Sequence, residues 1–152
     1  MHVSIAEERP DTPEAVAMIG ELERYIAPMY PHDSEHGLTP AQMVEEQVAF
    51  FVVRCDGVAA GCGGLKMSGE VYAEIVRMYV RPACRGRGLG RLVLERLEQY
   101  AREHGVGELR LKTGIYQPEA LGLYARHGYG IIPAFGPYRE HPLNRYYAKR
   151  LF

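Results

Sequence analysis

The segment with the clearest chemical potential is a glycine- and arginine-rich turn, Arg85-Gly86-Arg87-Gly88-Leu89-Gly90-Arg91. It lies between a predicted strand that ends at Val80 and a predicted amphipathic helix that begins near Leu89. The first N–H groups of a helix have no partners within the helix, and the helix dipole favours an anion beside them. Glycines let a ligand approach these N–H groups closely, and guanidinium groups match phosphate geometry. The turn is therefore predicted to bind a pyrophosphate.

Other phosphate-binding patterns fit this turn less well. The spacing Gly86-x-Gly88-x-Gly90 is not the GxGxxG of dinucleotide-binding folds, and it lacks the Lys-Ser or Lys-Thr of a nucleoside triphosphatase loop. RNA-binding arginine–glycine segments are long and unstructured, whereas this turn leads into a helix. A helix-starting loop with solvated arginines is the remaining alternative.

Glu74 is a candidate general base. Tyr72, Val76 and Met78 alternate with it along a predicted strand, so we expect all four on one apolar face beside a cleft. Partial burial there would raise the pKa of the carboxyl towards the range that suits a base. The alternative is an exposed strand carboxylate with no chemical role.

Hydrophobic periodicity predicts the elements that position these residues. Strands are predicted near residues 3–6, 48–54, 58–66, 71–80, 109–113, 129–132 and 145–151. Helices are predicted at 13–28, 40–47, 89–105 and 118–128, with Glu98 and Arg102 paired on an exposed helix side. Strands in this order predict one α/β (α+β) domain over residues 1–152, in which helices flank a mixed, mostly antiparallel central sheet.

Composition limits the classes of protein. Apolar residues make up 47% of the 152 residues, and the net charge of −1 argues against a nucleic-acid partner. The three cysteines form no CxxC pair, and the N-terminal residues do not resemble a signal peptide. The longest apolar run, 48–53, is too short to span a bilayer. We therefore expect a reduced, cytoplasmic protein without a membrane partner.

The chain resembles the GNAT family of N-acetyltransferases. Residues 85–90 resemble the family's motif A, written R/Q-x-x-G-x-G/A, and residues 73–82 resemble the strand before it. Residues 117–129 resemble motif B, in which a helix carrying Leu123-Tyr124 ends in Gly128-Tyr129. Residues 135–138 and 146–151 resemble the last two strands of small bacterial members. The resemblance covers essentially the whole chain.

This resemblance implies direct transfer of an acetyl group from acetyl-CoA to a primary amine. The backbone of Met78, Tyr79 and Val80 would pair with the pantetheine arm, and an N–H near Met78 or Tyr79 could polarise the thioester carbonyl. The amides of residues 86–91, with Arg85, would bind the pyrophosphate. Gln117 could hydrogen-bond the pantetheine arm, although a simple helix cap is equally compatible with its position.

Tyr124 is, by the same resemblance, the candidate general acid. Its hydroxyl has an ordinary pKa of about 10, which suits the return of a proton to a departing thiolate. Spacing alone would instead indicate an aromatic residue packed in the core.

The acceptor is assigned to the loop after the first helix. In the family this region shapes the acceptor site, so Tyr30 could form a wall and Asp33 or Glu35 could pair with a cationic amine. The pair His32 and His36 suggests a metal, but no third ligand accompanies it, and no metal site is predicted.

These features predict an enzyme acting on a small-molecule or amino-acid-like amine. The alternatives are acetylation of a protein N-terminus or lysine, and an acyl-CoA-binding module without catalysis. Edge strands near the C-terminus would also allow a homodimer.

Overall fold

The computed structural model describes residues 1–32, 37–69 and 71–152. Within them the strands are β1 (Val3–Glu7), β2 (Ala49–Cys55), β3 (Val58–Ser68), β4 (Tyr72–Val80), β5 (Glu108–Gly114), β6 (Gly130–Ile132) and β7 (Asn144–Arg150). The helices are α1 (Pro13–Ile26), α2 (Pro40–Glu45), α3 (Leu89–Glu103) and α4 (Pro118–Arg126). The predicted order of elements is confirmed. No helix in these three stretches has the length and apolar character that crossing a membrane requires.

The strands form one sheet in the order β1-β2-β3-β4-β5-β7-β6. Neighbouring strands are antiparallel except β4 and β5, which confirms the predicted mixed, mostly antiparallel sheet. The parallel register of β4 and β5 covers only Ala73↔Leu109 and Glu74↔Arg110 among the described residues. Because pairing stops there, the carboxyl half of β4 is open on its β5 side.

The two edges of the sheet are β1 and β6, so β7 is an interior strand. Ile131 on β6 is 70% exposed. The homodimer stays a prediction, and this edge is where its strand pairing would occur.

Local sequence signals explain where the helices and turns lie. The side chain of Thr12 accepts a hydrogen bond from the Ala15 N–H at 3.1 Å, which caps α1. Thr39 and Gln42 form a reciprocal capping box at the start of α2. Gly105 and Gly128 have positive φ values of 73° and 87° just after α3 and α4, as helix ends require.

The sheet carries a hydrophobic core on each face. The core on one face packs α3 and α4 residues such as Leu97 and Tyr124 against β-strand residues such as Phe51 and Leu111. The core on the other face packs α1 and α2 against Phe50 and Val52. Strand β4 therefore lies between two helical layers.

A β-bulge at Arg77 interrupts β4. Arg77 has a φ of 57°, and the register with β3 shifts between Gly64↔Val76 and Cys62↔Tyr79. Before the bulge Val76 packs with the α1 and α2 core, whereas Met78 after it packs with the α3 core. The expectation that Met78 shares a face with Glu74 is therefore wrong, because the extra residue reverses the alternation.

The prediction that Glu98 lies on the exposed side of α3 is also wrong. Glu98 is 5% exposed and accepts hydrogen bonds from Tyr129 Oη at 2.7 Å and from Lys149 Nζ at 3.2 Å. The predicted partner Arg102 lies farther away, at 3.9 Å. Since Tyr129 and Lys149 come from the C-terminal elements, the helix period alone gave no sign of this burial.

Gly63 allows α3 and the region after the bulge to pack against β3. A Cβ at residue 63 would lie 2.6 Å from Met78 Sδ and 2.7 Å from Val93 Cγ1. We expect Gly63→Ala to lower the free energy of unfolding by about 1–3 kcal/mol because the core must shift. Gly130→Ala is the matched control, since a Cβ at that strand glycine meets no atom within 4 Å. Urea denaturation of both variants tests this, and equal stabilities would contradict it.

Candidate active site

The N-terminus of α3 is a bare amide end. Gly88 caps the helix with a φ of 74° and contributes no side-chain hydrogen bond, and Gly86 has a φ of 81°. These left-handed conformations suit glycine and strain other residues. The first N–H groups of α3 therefore point out of the helix with no capping side chain, as the sequence predicts.

Positive charge surrounds this end of the helix. Arg85 donates from Nε to the Val80 carbonyl oxygen at 3.1 Å, which ties the turn to the end of β4. Its guanidinium carbon lies 5.8 Å from the centre of the Tyr25 ring. Arg91 forms an ion pair with Glu95 at 3.5 Å.

A cavity of about 560 Å³ opens in front of the turn, and we call it the turn cavity. Nearly all of the residues predicted to bind a carrier line it: Met78, Tyr79, Val80, Arg85, Gly86, Gly88, Leu89, Gly90, Arg91 and Gln117. Arg87 does not line the cavity, and its guanidinium lies 3.5 Å from Met1 Sδ. The structure thus brings together this predicted set except for Arg87.

A smaller cavity of about 160 Å³ lies between β4, β5 and the end of α1, and we call it the inner cavity. Its polar lining comes from Tyr30, Glu74, Arg77, Lys112, Thr113, Gln117, Tyr124, Tyr138 and Asn144. Five residues line both cavities: Leu22, Met78, Gln117, Ala120 and Tyr124. The two cavities therefore adjoin beside Tyr124.

Tyr124 is both packed in the core and present at this junction. It is 5% exposed, and the Tyr129 and Tyr147 rings lie 5.7 and 6.2 Å from its ring centre. Burial raises the pKa of Tyr124 above its ordinary value. The hydroxyl keeps its proton at neutral pH, and the raised pKa makes it a weaker acid than an ordinary phenol.

Glu74 is 8% exposed and lines the inner cavity, so the exposed-carboxylate alternative is wrong. Tyr138 Oη donates a hydrogen bond to Glu74 Oε2 at 2.5 Å. Burial raises the pKa of Glu74, and the Tyr138 hydrogen bond and the Lys112 charge partly oppose that rise. The carboxyl therefore has the character expected of a general base.

Sequence reasoning missed Tyr138 and Lys112. Lys112 Nζ lies 5.1 Å from the centre of the Tyr138 ring. The alternation of β5, which buries Leu109 and Leu111 in the α3 core, was a signal that Lys112 faces the opposite side. Tyr138 carried no such signal, because it reaches Glu74 from a loop 64 residues away.

Tyr30 and Gln117 form a hydrogen-bonded pair. Tyr30 Oη donates to Gln117 Oε1 at 3.2 Å and accepts from the Tyr116 N–H at 3.1 Å. Gln117 is the N-cap residue of α4, but its side chain makes no capping hydrogen bond.

The loop after Tyr30 is described only in part. Asp33, Glu35 and His36 lie outside the described residues. His32 stacks on His141 with ring centres 3.6 Å apart, and its Nε2 lies 3.2 Å from Asn144 Oδ1. In the part of the chain that is described, no group of three or more His, Cys, Asp or Glu residues is arranged to hold a metal ion.

Comparisons with known proteins agree with this architecture. The model of the acetyltransferase (GNAT) family matches residues 15–129. An IAA acetyltransferase from Azospirillum brasilense is 38% identical over 151 residues, which covers 99% of each chain. A Klebsiella pneumoniae protein provisionally assigned as an acyl-CoA N-acyltransferase is 35% identical, with a TM-score of 0.83 over 99% of this chain and 98% of that one.

A third comparison bears on the fold alone. The PaiA N-acetyltransferase from Thermoplasma acidophilum, solved in complex with coenzyme A, is 18% identical. Its TM-score is 0.72 over 99% of both chains.

The raised pKa of Glu74 predicts a pH dependence of stability. A carboxyl with a raised pKa binds its proton more tightly in the folded state than in the unfolded state, where its pKa is about 4.3. Stability should therefore fall as pH rises from that value through the higher pKa of the folded state, and then level off. Glu74→Gln should remove this part of the decline, because glutamine does not ionise.

Urea denaturation across a pH series measures the effect. Glu45→Gln, at the exposed end of α2, controls for the loss of a negative charge. A decline of equal size in the wild type and Glu74→Gln would contradict the assignment.

Proposed function

The chain belongs to the GNAT family of acetyltransferases, and from that premise we propose that it transfers the acetyl group of acetyl-CoA directly to a primary amine. The observation that carries the proposal is the junction of the turn cavity and the inner cavity beside Tyr124. An acyl carrier in one cavity and an amine in the other would bring their reacting atoms together at this point.

The turn cavity has the features that coenzyme A requires. The bare N-terminus of α3, with Arg85 and Arg91 beside it, suits the diphosphate. The carboxyl half of β4, from Met78 to Val80, is free of β5 and offers backbone groups to the pantetheine arm. This arm then leads from the diphosphate towards the inner cavity. Arg87 does not line the turn cavity, and its part in binding the carrier stays a prediction.

Glu74 and Tyr124 divide the proton transfers between them. Glu74 accepts the proton that the amine loses, either directly or through water. The amine nitrogen forms a bond to the acyl carbon, and the bond from that carbon to sulfur breaks. Tyr124 donates its hydroxyl proton to the departing sulfur, and an N–H near Met78 or Tyr79 stabilises the oxyanion. No covalent acyl-enzyme is required.

The inner cavity favours a small acceptor. Its volume of about 160 Å³ is bounded by Tyr30 and Tyr138, and Glu74 supplies a carboxylate for a cationic amine. The similar Azospirillum brasilense protein is named as an acetyltransferase of IAA, which is consistent with a small molecule. The proposed acceptor is therefore a small or amino-acid-like amine, and Asp33 and Glu35 stay candidates for its recognition.

Two glycines at opposite ends of α3 test the binding of the carrier. Gly88 and Gly105 have φ values of 74° and 73°, so alanine at either position costs about 1–2 kcal/mol of strain. Only Gly88→Ala disturbs the amide end of the helix, and we expect it to raise the Kd for acetyl-CoA about tenfold. Gly105→Ala should bind normally. Calorimetry measures both constants, and equal weakening would place the diphosphate elsewhere.

Tyr124→Phe tests the general acid. We expect kcat to fall about a hundredfold, because the departing thiolate loses its proton donor, while the KM for acetyl-CoA stays nearly unchanged. The assay is release of thiol from acetyl-CoA with a panel of primary amines and amino acids. Tyr147→Phe is the control, since Tyr147 is buried beside Tyr124 but lines neither cavity.

The same assay distinguishes the proposed function from the alternative functions. Full turnover by Tyr124→Phe would remove its role as the acid. Turnover with peptides but with no small amine would indicate a protein acceptor. Tight binding of coenzyme A without turnover on any amine or peptide would indicate a non-catalytic module.

A further inference from the structure

Tyr30 lines the inner cavity and contacts a loop whose Gln117 lines both cavities. It follows the short turn after α1, and its phenol reaches the loop between β5 and α4. A Cβ on Gly114 would lie 2.0 Å from Tyr30 Oη and 2.1 Å from Cζ. The ring therefore lies directly against the backbone of Gly114. Any larger residue at position 114 would clash with the ring.

The neighbours of the Tyr30 hydroxyl determine the direction of the hydrogen bond that it donates. Oη already accepts the Tyr116 N–H, and Gln117 Oε1 lies 3.2 Å away as an acceptor. Tyr30 is 6% exposed, and burial raises the pKa of its hydroxyl. The hydroxyl thus stays protonated and donates a hydrogen bond to Gln117 Oε1.

This donation sets the orientation of the Gln117 side chain. An amide has an oxygen that only accepts and an NH₂ group that only donates. If the amide were reversed, the Tyr30 proton would lose its acceptor within a buried site, which is unfavourable. Because Oε1 accepts the hydrogen bond from Tyr30, the NH₂ group can donate a hydrogen bond to a ligand at the junction of the two cavities, which Gln117 lines.

We propose that Tyr30 is a positioning residue for the carrier: it holds Gln117 so that Nε2 donates a hydrogen bond to a carbonyl oxygen of the pantetheine arm. This inference depends on the proposed function, because it takes acetyl-CoA as the carrier. It assigns Tyr30 a role beyond that of an acceptor wall. The loop that borders the acceptor and the loop that binds the carrier are consequently linked by one hydroxyl.

Binding measurements on Tyr30→Phe test the proposal without knowledge of the acceptor. The variant retains the ring on Gly114 but lacks the hydroxyl. We expect the Kd for acetyl-CoA to rise about three- to tenfold, the effect of one hydrogen bond. The Kd for 3′-phospho-ADP, the half of coenzyme A without the pantetheine arm, should not change. Tyr100→Phe is the control, because this α3 tyrosine lines neither cavity.

A double-mutant cycle tests whether Tyr30 acts through Gln117. In a Gln117→Ala background, Tyr30→Phe should cause no further loss of acetyl-CoA affinity. Gln117→Glu should bind acetyl-CoA at least as weakly as Gln117→Ala, since it retains an acceptor for Tyr30 but replaces the donor with an oxygen.

Several results would overturn the inference. Additive losses in the cycle, or unchanged acetyl-CoA affinity in Tyr30→Phe, would show that Tyr30 does not act through Gln117. Equal weakening for 3′-phospho-ADP would indicate general damage to the site. If the wild type bound 3′-phospho-ADP and acetyl-CoA equally poorly, the proposed function itself would fail.

Discussion

The left-handed conformation of Arg77 is the constraint on which the site depends. A non-glycine residue at positive φ costs about 1–3 kcal/mol and persists only where its surroundings hold it. The Arg77 side chain is buried, donates from Nε to the Leu38 carbonyl oxygen at 2.9 Å and forms an ion pair with Glu23. Contacts from α1 and the segment before α2 thus stabilise a bulge in the middle of β4.

The bulge reverses which face of the sheet alternate β4 side chains occupy. Glu74, before it, faces the inner cavity, whereas Met78, after it, packs towards α3 and lines both cavities. An unbroken strand would have placed both side chains on one face. In the proposed function, the extra residue therefore separates the part of β4 that binds the carrier from the part that carries the base.

Features with a local cause could be predicted from the sequence, and features with distant partners could not. The turn at residues 85–91 combines glycines, arginines and the start of a helix in one short segment, so its geometry could be predicted from the sequence. The burial of Glu74 was predicted correctly, but its supposed neighbour Met78 was not, because nothing about an arginine signals positive φ. Tyr138 at Glu74 and Tyr129 at Glu98 arrive from loops that follow α4, and no periodicity reports such contacts.

Burial of Glu74 serves the proposed chemistry at a cost in stability. Removal from water makes the Glu74 carboxylate a stronger base, whereas it makes the Tyr124 hydroxyl a weaker acid. An ionised Glu74 in this position opposes folding, and the Tyr138 hydrogen bond offsets part of that cost. A more exposed carboxyl would fold more easily but would hold an amine proton less well. The site therefore retains a residue that a purely structural core would exclude.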